Sequence, residues 1–185
     1  DEPTVWSEES NRLRYNKPEG IARVTAPPGA PPIVILPGFG NNSEDYLAPF
    51  GNESASIAAA LRARGWDVHV VELERKDWTK ILRAVLSKGF WTGKGTTEPG
   101  YTWYLELVND AVQRALAANP EATCVDFVAH SAGGWLGRAY IGGALNDVDW
   151  SKKKNTPVVA KTTVPHPRVR RLVSLGSPHI APPPG

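Results

Sequence analysis

The chain has 185 residues, of which 41% are hydrophobic and 22% are charged, and its formal net charge is +2. This length and composition predict a soluble globular domain with a hydrophobic core. The small net charge argues against a nucleic-acid partner, no apolar stretch approaches the roughly 20 residues of a transmembrane segment, and no secretory signal is visible.

Strand and helix patterns alternate along the chain. Residues 1–20 are polar and irregular, and residues 21–185 are predicted to be the N-terminal part of a single domain. A run of β-branched residues predicts a strand over 33–36, and an amphipathic pattern predicts a helix over 53–64 with Asn52 as its N-cap. The other predicted elements are strands at 21–25, 67–73, 123–129 and 171–175, and helices at 77–88, 102–118 and 134–141.

This alternation predicts an α/β fold, with a doubly wound, mostly parallel sheet and helices on both of its faces. Active sites in such sheets lie beyond the carboxyl ends of the strands. Three loop signals fall at predicted carboxyl ends, namely residues 37–40, Ser131 and residues 176–179. We therefore expect the functional site at that edge of the sheet.

Ser131 lies where a predicted strand meets the next predicted helix. A sharp strand-to-helix turn is crowded, so the positions two before and two after the serine must be very small, and they are Ala129 and Gly133. Such a turn lifts the hydroxyl above the sheet, and the N-terminus of the helix directs free N–H groups to the same place. Similar strings also arise by chance, but here the flanking strand and helix are both predicted. The pattern indicates a serine hydrolase.

At these residues the chain resembles the α/β-hydrolase superfamily, specifically its lipase-like esterases. Residues 129–133 resemble a nucleophile elbow that begins with alanine. Residues 37–40 resemble the oxyanion loop, with proline in place of the usual histidine, and residues 175–179 resemble a segment that follows the sixth strand of many lipases. The chain is also similar to a poorly characterised group of plant and cyanobacterial α/β-hydrolases, and a plastid location is expected if its source is a plant or an alga.

The resemblance implies a role for each of these positions. Ser131 would be the nucleophile, and the N–H groups of Phe39 and Ala132 would form the oxyanion hole, where one donor contributes about 3–4 kcal/mol to transition-state stabilisation. His130 would be a spacer that packs or hydrogen-bonds locally. The elbow and loop would be supported by Gly38, Gly40, His130 and Gly133.

A serine nucleophile needs a base and an orienting acid. In this superfamily they follow the serine in the order acid, then histidine. After Ser131 the chain offers only Asp147, Asp149, His166 and His179. The resemblance places both groups beyond Gly185, and a triad of Asp147 or Asp149 with His179 is the alternative. We therefore expect a C-terminally truncated hydrolase segment that is weakly active or inactive alone. The absence of methionine, even at position 1, predicts a processed or excised segment.

The expected reaction is the hydrolysis of small apolar or lipid esters through an acyl-serine intermediate. Aromatic residues either line an acyl site or are ordinary core and loop anchors: Phe39, Phe90, Trp91 and Trp135. Residues 89–100 form either a lid or an uneventful loop. Two further interpretations remain open, namely a hydrolase-like binding or signalling module without a working triad, and an acyltransferase or thioesterase.

No cofactor and no metal site are predicted. The histidines His69, His130, His166 and His179 lack ligand spacing, and residues 37–40 lack the glycine spacing and lysine of a nucleotide loop. Cys124 is interpreted as a buried apolar residue rather than a reactive thiol. The basic runs at 152–154 and 168–171 fit solvated segments better than a polyanion site. The sequence indicates no oligomeric state.

Overall fold

A computed structural model of the chain describes residues 24–81, 100–143 and 168–178. Its sheet contains four parallel strands in the order β2-β1-β3-β4, where β1 is Ile33–Leu36, β2 is Val68–Val70, β3 is Val125–His130 and β4 is Val169–Leu175. Ile33 of β1 lies opposite Val68 on one side and Asp126 on the other. β4 pairs with β3 up to Leu175, which lies opposite His130.

Within the described ranges, four α-helices connect or follow these strands. They are α1 (Glu44–Leu47), α2 (Ile57–Arg62), α3 (Thr102–Ala118) and α4 (Ala132–Ile141). Short 3₁₀ turns occupy Pro49–Gly51, Glu53–Ala55 and Arg75–Thr79.

The helices cover both faces of the sheet, as the side-chain alternation of its strands requires. Val34 of β1 and Phe127 of β3 belong to the larger core, together with buried residues of α3 and α4. Ile33 and Ile35 belong to a second core on the opposite face, with Ala58 of α2. The predicted α/β class, with a parallel sheet between helical layers, is confirmed.

Three predicted boundaries are wrong. Residues 24 and 25, the described end of the strand predicted over 21–25, are irregular, and residues 21–23 lie outside the described ranges. The helix predicted over 53–64 is a 3₁₀ turn followed by α2, and its N-cap is not Asn52 but Ser56, whose hydroxyl accepts a hydrogen bond from the Ala59 N–H at 2.9 Å. The strand predicted over 67–73 ends at Val70, because the Leu73 N–H bonds to the Ser43 hydroxyl at 2.7 Å instead of continuing the sheet.

Other boundaries agree more closely. The long helix has the predicted bounds of 102–118, and the first strand those of 33–36. The helix predicted over 77–88 begins as the 3₁₀ turn Arg75–Thr79. β3 and β4 each begin two residues from the predicted start, and α4 begins at Ala132, directly after Ser131. The short helix α1 was not predicted.

The basic run at 168–171 is partly engaged within the sheet. Arg170 of β4 donates two hydrogen bonds to the buried Asp126 carboxylate of β3, at 3.0 and 2.6 Å. The Cys124 thiol is unpaired and half-buried, one residue before β3 rather than within it.

Several predicted features lie outside the described residues. They are the segment 1–20, most of the loop 89–100 with Phe90 and Trp91, the basic run 152–154, and the residues Asp147, Asp149, His166 and His179. Within the described ranges, no helix has the length and apolarity needed to cross a membrane.

Candidate active site

Ser131 forms the junction between β3 and α4. Its backbone adopts a φ of 50° and a ψ of −122°, a conformation that costs a non-glycine residue about 1–3 kcal/mol. The Ser131 N–H donates to the Leu175 carbonyl at 2.9 Å, which ties the turn to the end of β4. The side chain is half-buried and does not cap α4. The strained turn therefore presents a hydroxyl that the start of the helix does not use.

The need for very small residues beside Ser131 has a steric cause. A Cβ placed on Gly133 would lie 2.5 Å from the Leu36 carbonyl oxygen, because the first turn of α4 packs against the end of β1. A Cβ on the next residue, Gly134, would overlap the Ser177 side chain. Ala129, two residues before the serine, is fully buried. Helix α4 could not begin where it does if either glycine carried a side chain.

The loop that follows β1 lies directly against this turn. A Cβ on Gly38 would lie 2.9 Å from His130 Nδ1 and 3.0 Å from Ser131 Cβ. The loop then reverses, with the Asn41 N–H donating to the Gly38 carbonyl at 3.1 Å. Gly40 has open space around it, so its requirement for glycine comes from its φ of 77° rather than from a close approach. The loop contact with the turn is made at Gly38.

Aromatic side chains from three elements hold this loop. The Tyr104 hydroxyl of α3 donates to the Pro37 carbonyl at 2.7 Å, and burial raises the pKa of Tyr104 well above its usual value. The Gly38 N–H donates to the Tyr46 hydroxyl at 2.9 Å. The Trp78 indole donates to the Asn41 carbonyl at 2.7 Å. The loop is thus fixed at three points before any ligand binds.

Sequence reasoning did not assign Tyr46, Trp78 or Tyr104 to the site. Trp78 and Tyr104 lie in segments that were predicted to be helices, and Tyr46 lies in a segment for which no element was predicted. Their common signal is chemical: a buried tyrosine or tryptophan needs a partner for its polar atom. Which partner it finds depends on contacts between distant parts of the chain.

Asp45 organises the far end of the same loop. Its carboxylate accepts hydrogen bonds from the Asn42 N–H at 3.0 Å and the Asn41 side chain at 3.1 Å, and it pairs with Arg75 at 2.6 Å. Burial tends to raise the pKa of Asp45, but these hydrogen bonds and the Arg75 charge outweigh burial and lower it. Asp45 is therefore a carboxylate near neutral pH and joins the loop to the 3₁₀ turn at Arg75–Thr79.

His130 hydrogen-bonds to Tyr46 across the sheet edge. The Tyr46 hydroxyl oxygen lies 2.7 Å from His130 Nδ1. Burial, together with the Asp45 charge, raises the pKa of Tyr46, so the phenol keeps its proton. The same oxygen accepts from the Gly38 N–H, and the tautomer of His130 sets whether Tyr46 or His130 donates in the bond between them.

The two amides that sequence analysis singled out flank Ser131. Ala132 follows the serine as the first residue of α4, and Phe39 follows Gly38, which contacts Ser131. Within the described ranges, neither N–H donates to a backbone acceptor. Unpaired N–H groups at a helix start attract an anion or a developing oxyanion.

Aromatic rings extend outward from this edge. Phe39 is 64% exposed and packs edge-to-face on Trp78, with ring centroids 5.1 Å apart. Trp135, one turn into α4 and 38% exposed, packs in the same way on Tyr101 at 5.8 Å. Of the four aromatic residues named for a possible acyl site, Phe39 lies in the loop after β1 and Trp135 in α4, while Phe90 and Trp91 lie outside the described ranges.

The other described histidine is remote from the turn. His69 is the middle residue of β2, and its Nε2 lies 2.8 Å from the carboxylate of Asp67, which precedes that strand. Ser131, in contrast, follows the carboxyl end of β3. The triad of Asp147 or Asp149 with His179 involves residues outside the described ranges, so it stays a prediction. In the described part of the chain, no group of three or more histidine, cysteine or acidic residues could hold a metal ion.

Comparison with known proteins gives one match. A profile of the alpha/beta hydrolase family matches residues 33–185, which begin at the first residue of β1 and include the loop at 37–40, Ser131 and β4. No curated protein and no solved structure matches the chain. The matched region contains every structural part of the site, and by this sequence match and this fold the chain belongs to the alpha/beta hydrolase family, whose members are hydrolases.

Proposed function

We propose that the protein is a serine hydrolase that cleaves carboxylic esters through an acyl intermediate on Ser131. The strained backbone of Ser131 carries this proposal. A non-glycine residue with a φ of 50° is costly to hold, and here its hydroxyl provides no helix cap in return. Strain of this kind is common where a side chain must be aimed for chemistry.

In the proposed reaction, the Ser131 oxygen attacks the acyl carbon while a base takes its proton. The carbonyl oxygen gains negative charge and is bound by the N–H groups of Phe39 and Ala132, each contributing about 3–4 kcal/mol. The ester C–O bond then breaks, and the alcohol leaves with the proton. Water attacks the acyl-serine by the same route and releases the acid.

The proposed substrate carries an apolar acyl group, as in a small apolar ester or a lipid ester. Support comes from two exposed rings, Phe39 in the loop after β1 and Trp135 one turn into the helix that begins after Ser131. Each ring is held edge-to-face by a neighbour, Trp78 or Tyr101. Rigid aromatic surface suits an apolar ligand because little side-chain freedom is lost on binding.

A fluorophosphonate probe tests the nucleophile directly, because it forms a stable adduct with an activated serine. We expect the full-length natural protein to be labelled at Ser131, Ser131→Ala to abolish labelling, and Ser54→Ala, which changes an exposed serine, to have no effect. Labelling that persists in Ser131→Ala contradicts the proposal, and full-length protein that never labels indicates a binding module.

Product analysis with p-nitrophenyl esters of different acyl length then tests the reaction. The proposal predicts release of the free acid and faster turnover of longer acyl chains. An acylated alcohol or amine, formed when an acceptor is added, would instead identify an acyltransferase. Faster turnover of matched thioesters would identify a thioesterase.

A further inference from the structure

We infer that Tyr46 is a positioning residue for the chemistry at Ser131, through a phenol that joins the loop 37–41 to the strand end before the serine. The inference rests on the proposed function. Tyr46 lies in α1, is 8% exposed, and reaches His130 across 84 residues of sequence. No local sequence signal connects the two.

One arrangement of protons lets the Tyr46 phenol act as both acceptor and donor. The Tyr46 oxygen accepts from the Gly38 N–H at 2.9 Å and lies 2.7 Å from His130 Nδ1. The phenol has one proton, and donation of that proton to Nδ1 places the ring proton of His130 on Nε2. We assign this tautomer to His130 as part of the inference.

This bridge determines which loop amide is left for a substrate. The Gly38 N–H is taken by Tyr46, the Pro37 carbonyl by Tyr104 and the Gly38 carbonyl by the Asn41 N–H. The Phe39 N–H, the next donor along the chain, makes no backbone hydrogen bond within the described ranges. The bond to Tyr46 holds the peptide before the Gly38 Cα, and the bond from Asn41 holds the peptide after it, which carries the Phe39 N–H. The bridge therefore anchors one side of the backbone that directs this donor.

Loss of the phenol should therefore impair the transition state more than substrate binding. In Tyr46→Phe, the Gly38 N–H and His130 Nδ1 lose their partner and the loop amide is no longer held. We expect kcat to fall about tenfold with KM within about twofold of wild type. Tyr140→Phe is the matched control, because it removes a hydroxyl that bonds to Asn109 at 3.0 Å, near the far end of α4. Its kcat should be unchanged.

Substitutions at His130 test the same bridge from the other side. His130→Asn keeps an acceptor oxygen near the Nδ1 position and should retain most activity. His130→Phe removes the partner of the phenol but leaves the Gly38 N–H bonded to Tyr46, so its kcat should fall less than that of Tyr46→Phe. The double variant Tyr46→Phe/His130→Phe should lose no more than Tyr46→Phe, because both substitutions break one unit. A purely structural role would lower the melting temperature without this pattern in kcat.

The measurements use the full-length natural protein and separate two failures. If wild type labels at Ser131 but Tyr46→Phe keeps its kcat within about twofold, the positioning role is overturned. If wild type never labels, the proposed function has failed, and two NMR measurements judge the bridge alone. Faster hydrogen exchange of the Gly38 amide in Tyr46→Phe, with an Nε2–H tautomer of His130 in wild type, supports it. Unchanged exchange or an Nδ1–H tautomer overturns it.

Discussion

Single residues build this site through backbone contacts that leave no room for side chains. Gly133 brings the first turn of α4 onto the Leu36 carbonyl, and Gly38 brings the following loop onto Ser131. The two glycines act on one geometry, since both close the gap between the end of β1 and the serine turn. The left-handed conformation of Ser131 is held between them and the Leu175 carbonyl.

Gly133→Ala should destabilise the protein, because its Cβ would lie 2.5 Å from the Leu36 oxygen and 2.9 Å from the Pro37 oxygen. Neither backbone atom can move without disturbing β1, so we expect a loss of about 2 kcal/mol or more in the free energy of unfolding. Urea denaturation of the purified variant measures it.

Gly137→Ala on the same helix is the matched control. Its nearest contact, at 3.1 Å, is the Leu36 side chain, which can rotate, and alanine gains up to about 1 kcal/mol of helix propensity over glycine. We expect its stability to be close to that of wild type. Equal urea midpoints for Gly133→Ala and Gly137→Ala would contradict the proposed packing of α4 on β1.

At the scale of elements, the residue at which a helix begins depends on which nearby side chain caps its first turn. For the helix that covers the second core, the sequence pattern predicts Asn52 as the N-cap, whereas the structure places the N-cap at Ser56. The structure uses Asn52 before a 3₁₀ turn, without a side-chain cap bond, and Ser56 before α2, with one. Ser56 is also 2% exposed, so its hydroxyl has little access to water.

Ser56→Ala should lower the free energy of unfolding by about 1 kcal/mol, because it removes the acceptor for the Ala59 N–H in a buried setting. Asn52→Ala should change the free energy of unfolding by no more than a few tenths of the effect of Ser56→Ala, because Asn52 caps no α-helix. Thermal unfolding of both variants measures the difference. If Asn52→Ala is the more destabilising of the two variants, the N-cap of the helix is Asn52, as the sequence predicted, and not Ser56.

The elements that sequence analysis predicted well are those with strong local patterns. The long helix over 102–118 has a continuous apolar stripe and a proline stop, and the strand over 33–36 is uniformly apolar, so both have the predicted bounds. The strand expected over 67–73 was overestimated because its last residues bond to Ser43, thirty positions earlier. The turn at Ser131 could be anticipated from its small neighbours. The bridge through Tyr46 could not, because it depends on a contact between distant segments.

For the molecule as a whole, the site depends on both faces of the sheet at once. Tyr46 and Asp45 approach the loop after β1 from the face covered by α1 and α2, whereas Tyr104 approaches it from the α3 face. Packing of the two cores therefore acts on the same few loop residues. Loosening either core should disturb the site before the sheet itself unfolds.

Acid stability follows from charged links of the same kind. Three described aspartates form such links. Asp45 bonds to Arg75, and Asp67 bonds to His69 and to Asn119 at the end of α3, whereas Asp77 bonds to Lys80 within one turn. For each carboxyl, burial tends to raise the pKa, but hydrogen bonds and neighbouring positive charges outweigh burial and lower it from 3.8.

Because these pKa values are lower in the folded state, the unfolded chain binds protons first as the pH falls. The stabilisation is complete above pH 3.8 and is lost as the pH falls through the lowered values. Near neutral pH, these groups should change the urea midpoint little. Below pH 3.8, the urea midpoint should fall. The variant Asp45→Asn/Asp67→Asn/Asp77→Asn should be less stable than wild type at neutral pH and should lose less stability on acidification. If its midpoint falls with pH as steeply as that of wild type, other groups govern acid unfolding.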